Sequence, residues 1–91
     1  MIQSGERAVT VHVVLSMGTS FDHTGGEKEF DLDAKDVRAV IKQMDVRFPG
    51  LGEFLEEEAM VAIDGEIYET AKYERLRDGC ELYFLPKLEA G

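Results

Sequence analysis

The sequence predicts an α+β domain in which one long amphipathic helix packs across one face of a mixed, four- to five-stranded sheet. Apolar residues alternate with a period of two in residues 8–15 and again in residues 28–33, whereas from Val37 to Phe48 they recur at helical spacing. Two short apolar runs follow, at residues 60–64 and 80–85, and both have the length of strands. A single long helix cannot cover both faces of a doubly wound sheet, so a two-layer domain is predicted.

Size and charge restrict the class of protein. The 91 residues form a single domain, which we place at residues 8–86 between a flexible leader, 1–7, and an exposed tail, 87–91. The net charge of −9 argues against binding to nucleic acid or to an anionic membrane. The negative charge either keeps the protein soluble or forms an acidic face that binds a basic patch on a partner enzyme. The single cysteine, Cys80, fits a reducing compartment, so we expect a cytoplasmic protein.

The first strand is predicted at residues 8–15, where β-branched residues alternate along one face and His12 lies on the more polar face as an ordinary strand residue. Residues 16–27 contain three glycines and are interpreted as a long connector, with a tip that is mobile or contacts a partner. Residues 28–33 alternate again and predict a half-exposed second strand, antiparallel to the first and near an edge of the sheet.

The helix is predicted from Val37 to Phe48, and its apolar stripe is interpreted as core. Asp36 is the expected N-cap, with Asp33 as the alternative, because a carboxylate there can accept from first-turn N–H groups. Pro49-Gly50 ends the helix.

Shorter elements follow the helix. Residues 51–58 predict a short helical turn with an exposed run of glutamates, and residues 60–64 predict a third strand. Asp64-Gly65 forms a tight turn, after which residues 66–68 run back along the third strand. The stretch from 69 to 77 is irregular, with Leu76 as its expected inward anchor.

The last strand, residues 80–85, has five apolar or aromatic residues out of six, so both of its faces are expected to contact protein in the middle of the sheet. Pro86 lacks an N–H and is expected to mark the end of pairing. The tail that follows finishes on the free carboxylate of Gly91 and is therefore suited to presenting a chemical group.

No catalytic, cofactor-binding or metal-binding residues are identified. Asp22 and His23 are adjacent polar residues, whereas a metal requires three or four converging ligands. The glycines match neither a phosphate loop nor a dinucleotide fingerprint. His12, His23 and Cys80 lack the spacing of a catalytic constellation, so we expect a chain that is not itself an enzyme.

Six segments together resemble the sulfur-carrier family, which includes the small subunit of molybdopterin synthase and the thiamine-biosynthesis sulfur carrier and has the ubiquitin-like β-grasp fold. The resemblance spans most of the chain after the leader. The segments are Val11-His12-Val13-Val14-Leu15, Asp36-Val37-Arg38-Ala39-Val40-Ile41, Arg47-Phe48-Pro49-Gly50-Leu51, Val61-Ala62-Ile63-Asp64-Gly65, Leu76-Arg77-Asp78-Gly79-Cys80-Glu81-Leu82 and Leu85-Pro86-Lys87.

The resemblance implies that the C-terminus carries the function. An E1-like adenylating enzyme would use ATP to activate the carboxylate of Gly91, and sulfur would then replace AMP to give a thiocarboxylate. Lys87, Leu88, Glu89 and Ala90 would contact this partner. The resemblance also implies a synthase subunit that receives the sulfur, for molybdenum-cofactor or thiamine biosynthesis, and no cofactor bound to the carrier.

One departure from the family pattern keeps a second hypothesis open. The family ends in Gly-Gly, whereas this chain ends in Ala90-Gly91. The added methyl group lies where the partner's channel is expected to be narrowest. The alternative is therefore a β-grasp protein-interaction or regulatory module without C-terminal chemistry.

Overall fold

The computed structural model describes residues 9–68 and 73–87, which form five strands and three helices. In chain order these elements are β1 (Thr10–Leu15), α1 (Met17–His23), β2 (Glu29–Asp33), α2 (Val37–Arg47), α3 (Leu51–Glu58), β3 (Ala59–Ile63), β4 (Glu66–Tyr68) and β5 (Glu81–Pro86). The expected leader, residues 1–7, lies outside the described residues. So do the first residue of the predicted first strand, part of the irregular stretch (69–72) and the tail from residue 88 onward.

The five strands form one mixed sheet in the order β2-β1-β5-β3-β4. β1 and β5 run parallel, and the other neighbouring pairs are antiparallel. The predicted α+β architecture is therefore confirmed, as are the edge position of β2 and the central position of β5.

The core lies between one face of the sheet and the helices. Val11, Val13 and Leu82 of the two central parallel strands are fully buried there. The apolar stripe of α2 packs onto this face through Val37, Val40, Ile41 and Met44, which confirms its interpretation as core. Phe48, at the end of the stripe, is only partly buried against the same cluster.

The first turn of α2 is capped by Asp36, whose Oδ1 accepts a hydrogen bond from the backbone N–H of Ala39 at 2.8 Å. The alternative cap, Asp33, is wrong. Its carboxylate instead accepts from the N–H of Val9 at 3.1 Å and so holds the start of β1 against the end of β2. Asp33 belongs to β2, three residues before the true cap.

Helix α1 corrects the prediction that residues 16–27 are a connector throughout. Ser16 caps it by accepting from the N–H of Thr19 at 3.3 Å, and the hydroxyl of Ser20 donates to the carbonyl of Met17 at 2.8 Å. The buried face consists of Thr19 and Ser20, whereas Met17 and Phe21 point outward. Because small hydroxyl residues form the buried face, the segment has no apolar stripe to identify it as a helix.

The prediction that both faces of β5 contact protein is also wrong. Its residues alternate between buried and exposed, with Leu82 and Phe84 in the core and Tyr83 37% exposed. The helical core covers one face of the sheet only, so the other side of this central strand is open. The end of pairing at Pro86 is confirmed. β5 ends there with Ala59 of β3 as its partner, and the N–H of Lys87 closes this last pair by donating to the carbonyl of Glu58 at 3.0 Å.

The remaining elements follow the prediction more closely. Residues 51–58 form a complete eight-residue helix rather than a single turn, with Leu51 and Leu55 buried. The tight turn at Asp64-Gly65 is confirmed, with positive φ at both residues, 50° and 89°. Leu76 is buried, as expected of an inward anchor.

Candidate functional site

The C-terminal end of β5 shares one edge of the sheet with two other chain segments. Since β1 and β5 run parallel, with Leu15 beside Phe84, both strands end at this edge. β3 runs antiparallel to β5, with Ala59 beside Pro86, and therefore begins there. We call this the tail edge, because the chain leaves the sheet here toward Gly91.

The chain remains hydrogen-bonded up to Lys87 at the tail edge. Successive backbone N–H groups along a central strand point alternately toward its two neighbouring strands. The N–H of Lys87 points toward β3, since it donates to the carbonyl of Glu58, the residue just before β3. The missing N–H of Pro86 therefore faces the β1 side, where β1 has already ended at Leu15. Proline costs no ladder hydrogen bond at this position. We call Lys87 the root of the tail. Its backbone is fixed by the hydrogen bond to Glu58, and its side chain is exposed.

Of the residues predicted to act in the tail, only Lys87 lies within the described chain. Leu88, Glu89, Ala90 and Gly91 lie outside the described residues. Their roles therefore stay predictions.

Two helices flank the root of the tail. β5 lies between β1 and β3 in the sheet; α1 follows β1 after one residue, and α3 leads directly into β3. The rings of His23 in α1 and Phe54 in α3 contact each other, with centroids 4.6 Å apart. The chain therefore emerges between the ends of two helices that are themselves in contact.

The exposed side chains of these helices differ in character. Met17 and Phe21 of α1 are 72% and 79% exposed. On α3, Glu57 and Glu58 are exposed beside the root of the tail. Met17 and Phe21 were not predicted as functional residues, because residues 16–27 lack an apolar stripe and were interpreted as a connector. Their spacing of four residues was the available signal.

The open face of the sheet carries a row of cross-strand neighbours that are mostly apolar. Val14 on β1 lies beside Tyr83 on β5, Tyr83 beside Ala62 on β3, and Ala62 beside Ile67 on β4. Ile67 is 57% exposed. The row crosses four strands on the side opposite the helical core.

His12 lies next to this row and is bonded to two carboxylates. Its Nδ1 is 2.8 Å from Oδ1 of Asp31, and its Nε2 is 3.1 Å from Oε1 of Glu29. The hydrogen bond with Asp31 is the main cause that raises the pKa of His12 above 6.5, against an opposing effect of burial. The expected position of His12 on the more polar face is confirmed.

The other reactive residue types form no site in this part of the chain. Cys80 is buried, and burial raises the pKa of its thiol, so the thiol is protonated at neutral pH. Within residues 9–68 and 73–87, no three His, Cys, Asp or Glu side chains are placed to hold a metal ion. None of the helices described there is long and apolar enough to cross a membrane.

Comparison with known proteins gives a family match and several structural matches. The model of the ThiS family matches residues 14–88. No curated protein shows a significant sequence match.

Three solved structures illustrate the structural similarity. A chain of the BexX/CysO complex from Amycolatopsis orientalis is 26% identical, with a TM-score of 0.74 and coverage of 89% of this chain and 99% of that one. CysO of Mycobacterium tuberculosis is 20% identical, with a TM-score of 0.73 and coverage of 86% and 99%. A chain of the complex of molybdopterin-converting factor subunits 1 and 2 from Helicobacter pylori is 20% identical, with a TM-score of 0.61 and coverage of 91% and 100%. The expected ubiquitin-like β-grasp fold is confirmed.

Proposed function

The chain belongs to the ThiS family, and we propose on this basis that it is a sulfur carrier. Its C-terminal glycine carboxylate is activated by a separate adenylating enzyme and converted to a thiocarboxylate. The observation that carries the proposal is the position of β5, a central strand fixed on both sides that leads at once into a short tail ending at Gly91.

The proposed chemistry takes place on the carboxylate of Gly91. A carboxylate oxygen attacks the α-phosphorus of ATP on the partner enzyme, and pyrophosphate leaves. The acyl-adenylate then has AMP as a good leaving group. A sulfide or persulfide sulfur attacks the carbonyl carbon, AMP departs, and a thiocarboxylate remains once any persulfide S–S bond has been cleaved by a thiol. Glycine suits this position because it places no Cβ beside the carbonyl that is attacked.

The chain itself contributes presentation rather than catalysis. The backbone is fixed through the bond from Lys87 N–H to Glu58 O, and the proposed reacting residue, Gly91, lies four residues further along the chain. A chain spans at most about 3.5 Å per residue, so the carboxylate can reach only about 14 Å from this root. The adenylating site must therefore approach the tail edge closely.

The proposal includes a protein partner for each step. Two of the similar structures are complexes, BexX/CysO and the H. pylori molybdopterin-converting factor subunits 1 and 2. These complexes support a protein partner for this chain as well. An adenylating enzyme would act first, using ATP, and a synthase subunit of molybdenum-cofactor or thiamine biosynthesis would then receive the sulfur.

A protein-interaction module without C-terminal chemistry is the second candidate. Ala90 favours it, because a methyl group replaces hydrogen at the penultimate position of the family pattern. The open face of the sheet also favours it, since Tyr83 and Ile67 are exposed there and available to another protein.

The deciding experiment is the intact mass of the protein isolated from its native host under conditions that preserve thioacids. The carrier proposal predicts a species heavier by the exchange of one oxygen for sulfur, mapped to Gly91. The same species is expected on incubation with the host's adenylating enzyme, ATP and a sulfur source.

The control is a chain extended by one residue beyond Gly91, which should gain no sulfur while remaining folded. An extended chain that gains sulfur would contradict the role of Gly91. If the unmodified mass persists with every component present, the interaction module is the correct function.

A further inference from the structure

We propose that Met17 and Phe21 of α1, together with Glu57 and Glu58 of α3, form one docking surface around the root of the tail. The adenylating partner binds it through an apolar pocket flanked by basic side chains. This inference rests on the proposed sulfur-carrier function and identifies where on the chain that partner binds.

The apolar half of the surface has no structural task within the described fold. Met17 and Phe21 lie one helical turn apart and so share a face, and each is more than two-thirds exposed. The helix is held instead by its Ser16 cap and by the buried residues Thr19 and Ser20. A pair of large apolar side chains kept in water beside a candidate site indicates a binding surface.

The position of the pair connects it with the tail. α1 starts at Met17, two residues after Leu15, and Leu15 lies beside Phe84 near the end of β5. α3 ends at Glu58, which is hydrogen-bonded to Lys87. The apolar pair and the glutamates therefore lie on opposite sides of the emerging chain.

The short tail requires contact with these residues. On the proposed function the reacting carboxylate belongs to Gly91, four residues after Lys87, so an enzyme that reaches it lies within about 14 Å of the root. The entrance of its channel must then rest against the residues that surround the root. The contact between His23 and Phe54 keeps the two helices together as one surface.

The acidic side chains of the docking surface indicate what kind of partner protein binds there. Glu58 is hydrogen-bonded through its backbone to Lys87, Glu57 precedes it, both side chains are exposed, and the whole chain has a net charge of −9. A partner with basic side chains around its apolar pocket complements this surface. A second copy of the chain would instead bring acidic groups against acidic groups.

The test measures adenylation of full-length variants by the host's adenylating enzyme, using ATP–pyrophosphate exchange at varied carrier concentration. The double variant Met17→Ser/Phe21→Ser is expected to raise the KM for the carrier by about tenfold or more, with kcat unchanged, because central aromatic anchors dominate interface energies. Glu57→Lys/Glu58→Lys is expected to raise KM as well and to weaken its dependence on salt.

Tyr73→Ser provides the matched control. Tyr73 is aromatic and 73% exposed, like Phe21, but it precedes Glu74, whose carbonyl accepts from the N–H of Val37 at the start of α2. That region adjoins the opposite edge of the sheet, where β5 begins. Its replacement should leave both KM and kcat unchanged.

The outcomes separate the two proposals. If both double variants have the KM of the wild type, the docking-surface proposal is wrong, whereas the proposed carrier function is unaffected. If the wild-type chain itself is not adenylated, the carrier function is wrong and the docking surface falls with it. Circular dichroism of each variant checks that the total helix content of the wild type is retained.

Discussion

His12 and Asp31 form a cross-strand pair on the open face of the sheet, with Nδ1 and Oδ1 2.8 Å apart and the two residues directly opposite in the register of β1 and β2. Glu29 bonds the other ring nitrogen at 3.1 Å, and Glu81 lies beside His12 on β5. The imidazole is therefore next to acidic residues on both neighbouring strands. This arrangement favours the charged ring.

We predict that this pair makes stability depend on pH in a defined direction. The pKa of His12 is raised above 6.5 in the folded protein. The stabilisation is therefore fully present below about pH 6.5, the unfolded value, and is lost as the pH rises through the folded pKa. Urea unfolding of the wild type and His12→Gln across this range should show an advantage for the wild type that disappears at high pH.

The control for this prediction is Asp31→Asn, which removes the main cause of the shift. An NMR titration should then place the pKa of His12 lower than in the wild type. Equal values in both proteins would refute the assignment to Asp31.

Gly52 lies against Asp45, and we predict that Gly52→Ala destabilises the domain. A Cβ at Gly52 would come within 2.7 Å of the Cβ of Asp45, whose carboxylate accepts from the N–H groups of Gly50 and Gly52 at 3.0 Å each. Overpacking of this kind costs about 1–3 kcal/mol. The loss should appear as a lower midpoint in chemical denaturation.

Gly18→Ala is the matched comparison, because Gly18 lies in α1 with no atom near its added Cβ. Alanine favours a helix by up to about 1 kcal/mol over glycine, so this variant should be as stable as the wild type or more so. A loss similar to that of Gly52→Ala would argue against the steric explanation.

Removal of the α2 cap should weaken the domain through its principal helix. Asp36→Ala deletes the acceptor for the N–H of Ala39, at a typical cost of about 1 kcal/mol. Asp36→Ser keeps an acceptor and should recover most of the loss in thermal unfolding. An alanine variant as stable as the wild type would show that the cap contributes nothing.

Ala90→Gly tests the departure from the family pattern. We expect activation to be unchanged or faster, since removing the methyl group relieves any exclusion by the partner's channel, worth at most about 1–3 kcal/mol. The rate of ATP–pyrophosphate exchange at saturating ATP measures it. A large loss of rate would instead mean that the partner is adapted to alanine.

Much of the fold could be predicted because its elements follow simple periods. The apolar residues of the α2 stripe, and every second residue in β1 and β2, are the residues buried in the core. α1 could not be recognised in this way, since its buried residues are Thr19 and Ser20 and its apolar residues are exposed. Hydroxyl residues that bond their own helix leave no hydrophobic pattern in the sequence.

The site was predicted only in part, for a related reason. The sequence predicted the central position of the last strand, but the apolar run in β5 suggested cover on both faces, and the predicted roles of residues 88–91 lie outside the described residues. Tyr83 is nevertheless exposed, because the helical core packs on a single side. Which residues surround the tail depends on the parallel pairing of β1 with β5, and local sequence does not specify that pairing.

The parallel pairing of β1 with β5 also has a consequence for when the tail edge is assembled. β5 is the last strand, yet it fills the gap between β1 and β3 in the middle of the sheet. Pairs such as His12 and Glu81 join the two ends of the described chain, and because contacts this distant in sequence slow folding, we expect the closure of the sheet by β5 to be a late step. Before that step, α1 and α3 are not joined across the sheet and the tail has no fixed base. If the chain is the sulfur carrier proposed above, a partner that recognises the tail together with its surroundings would load sulfur only onto chains that have completed folding.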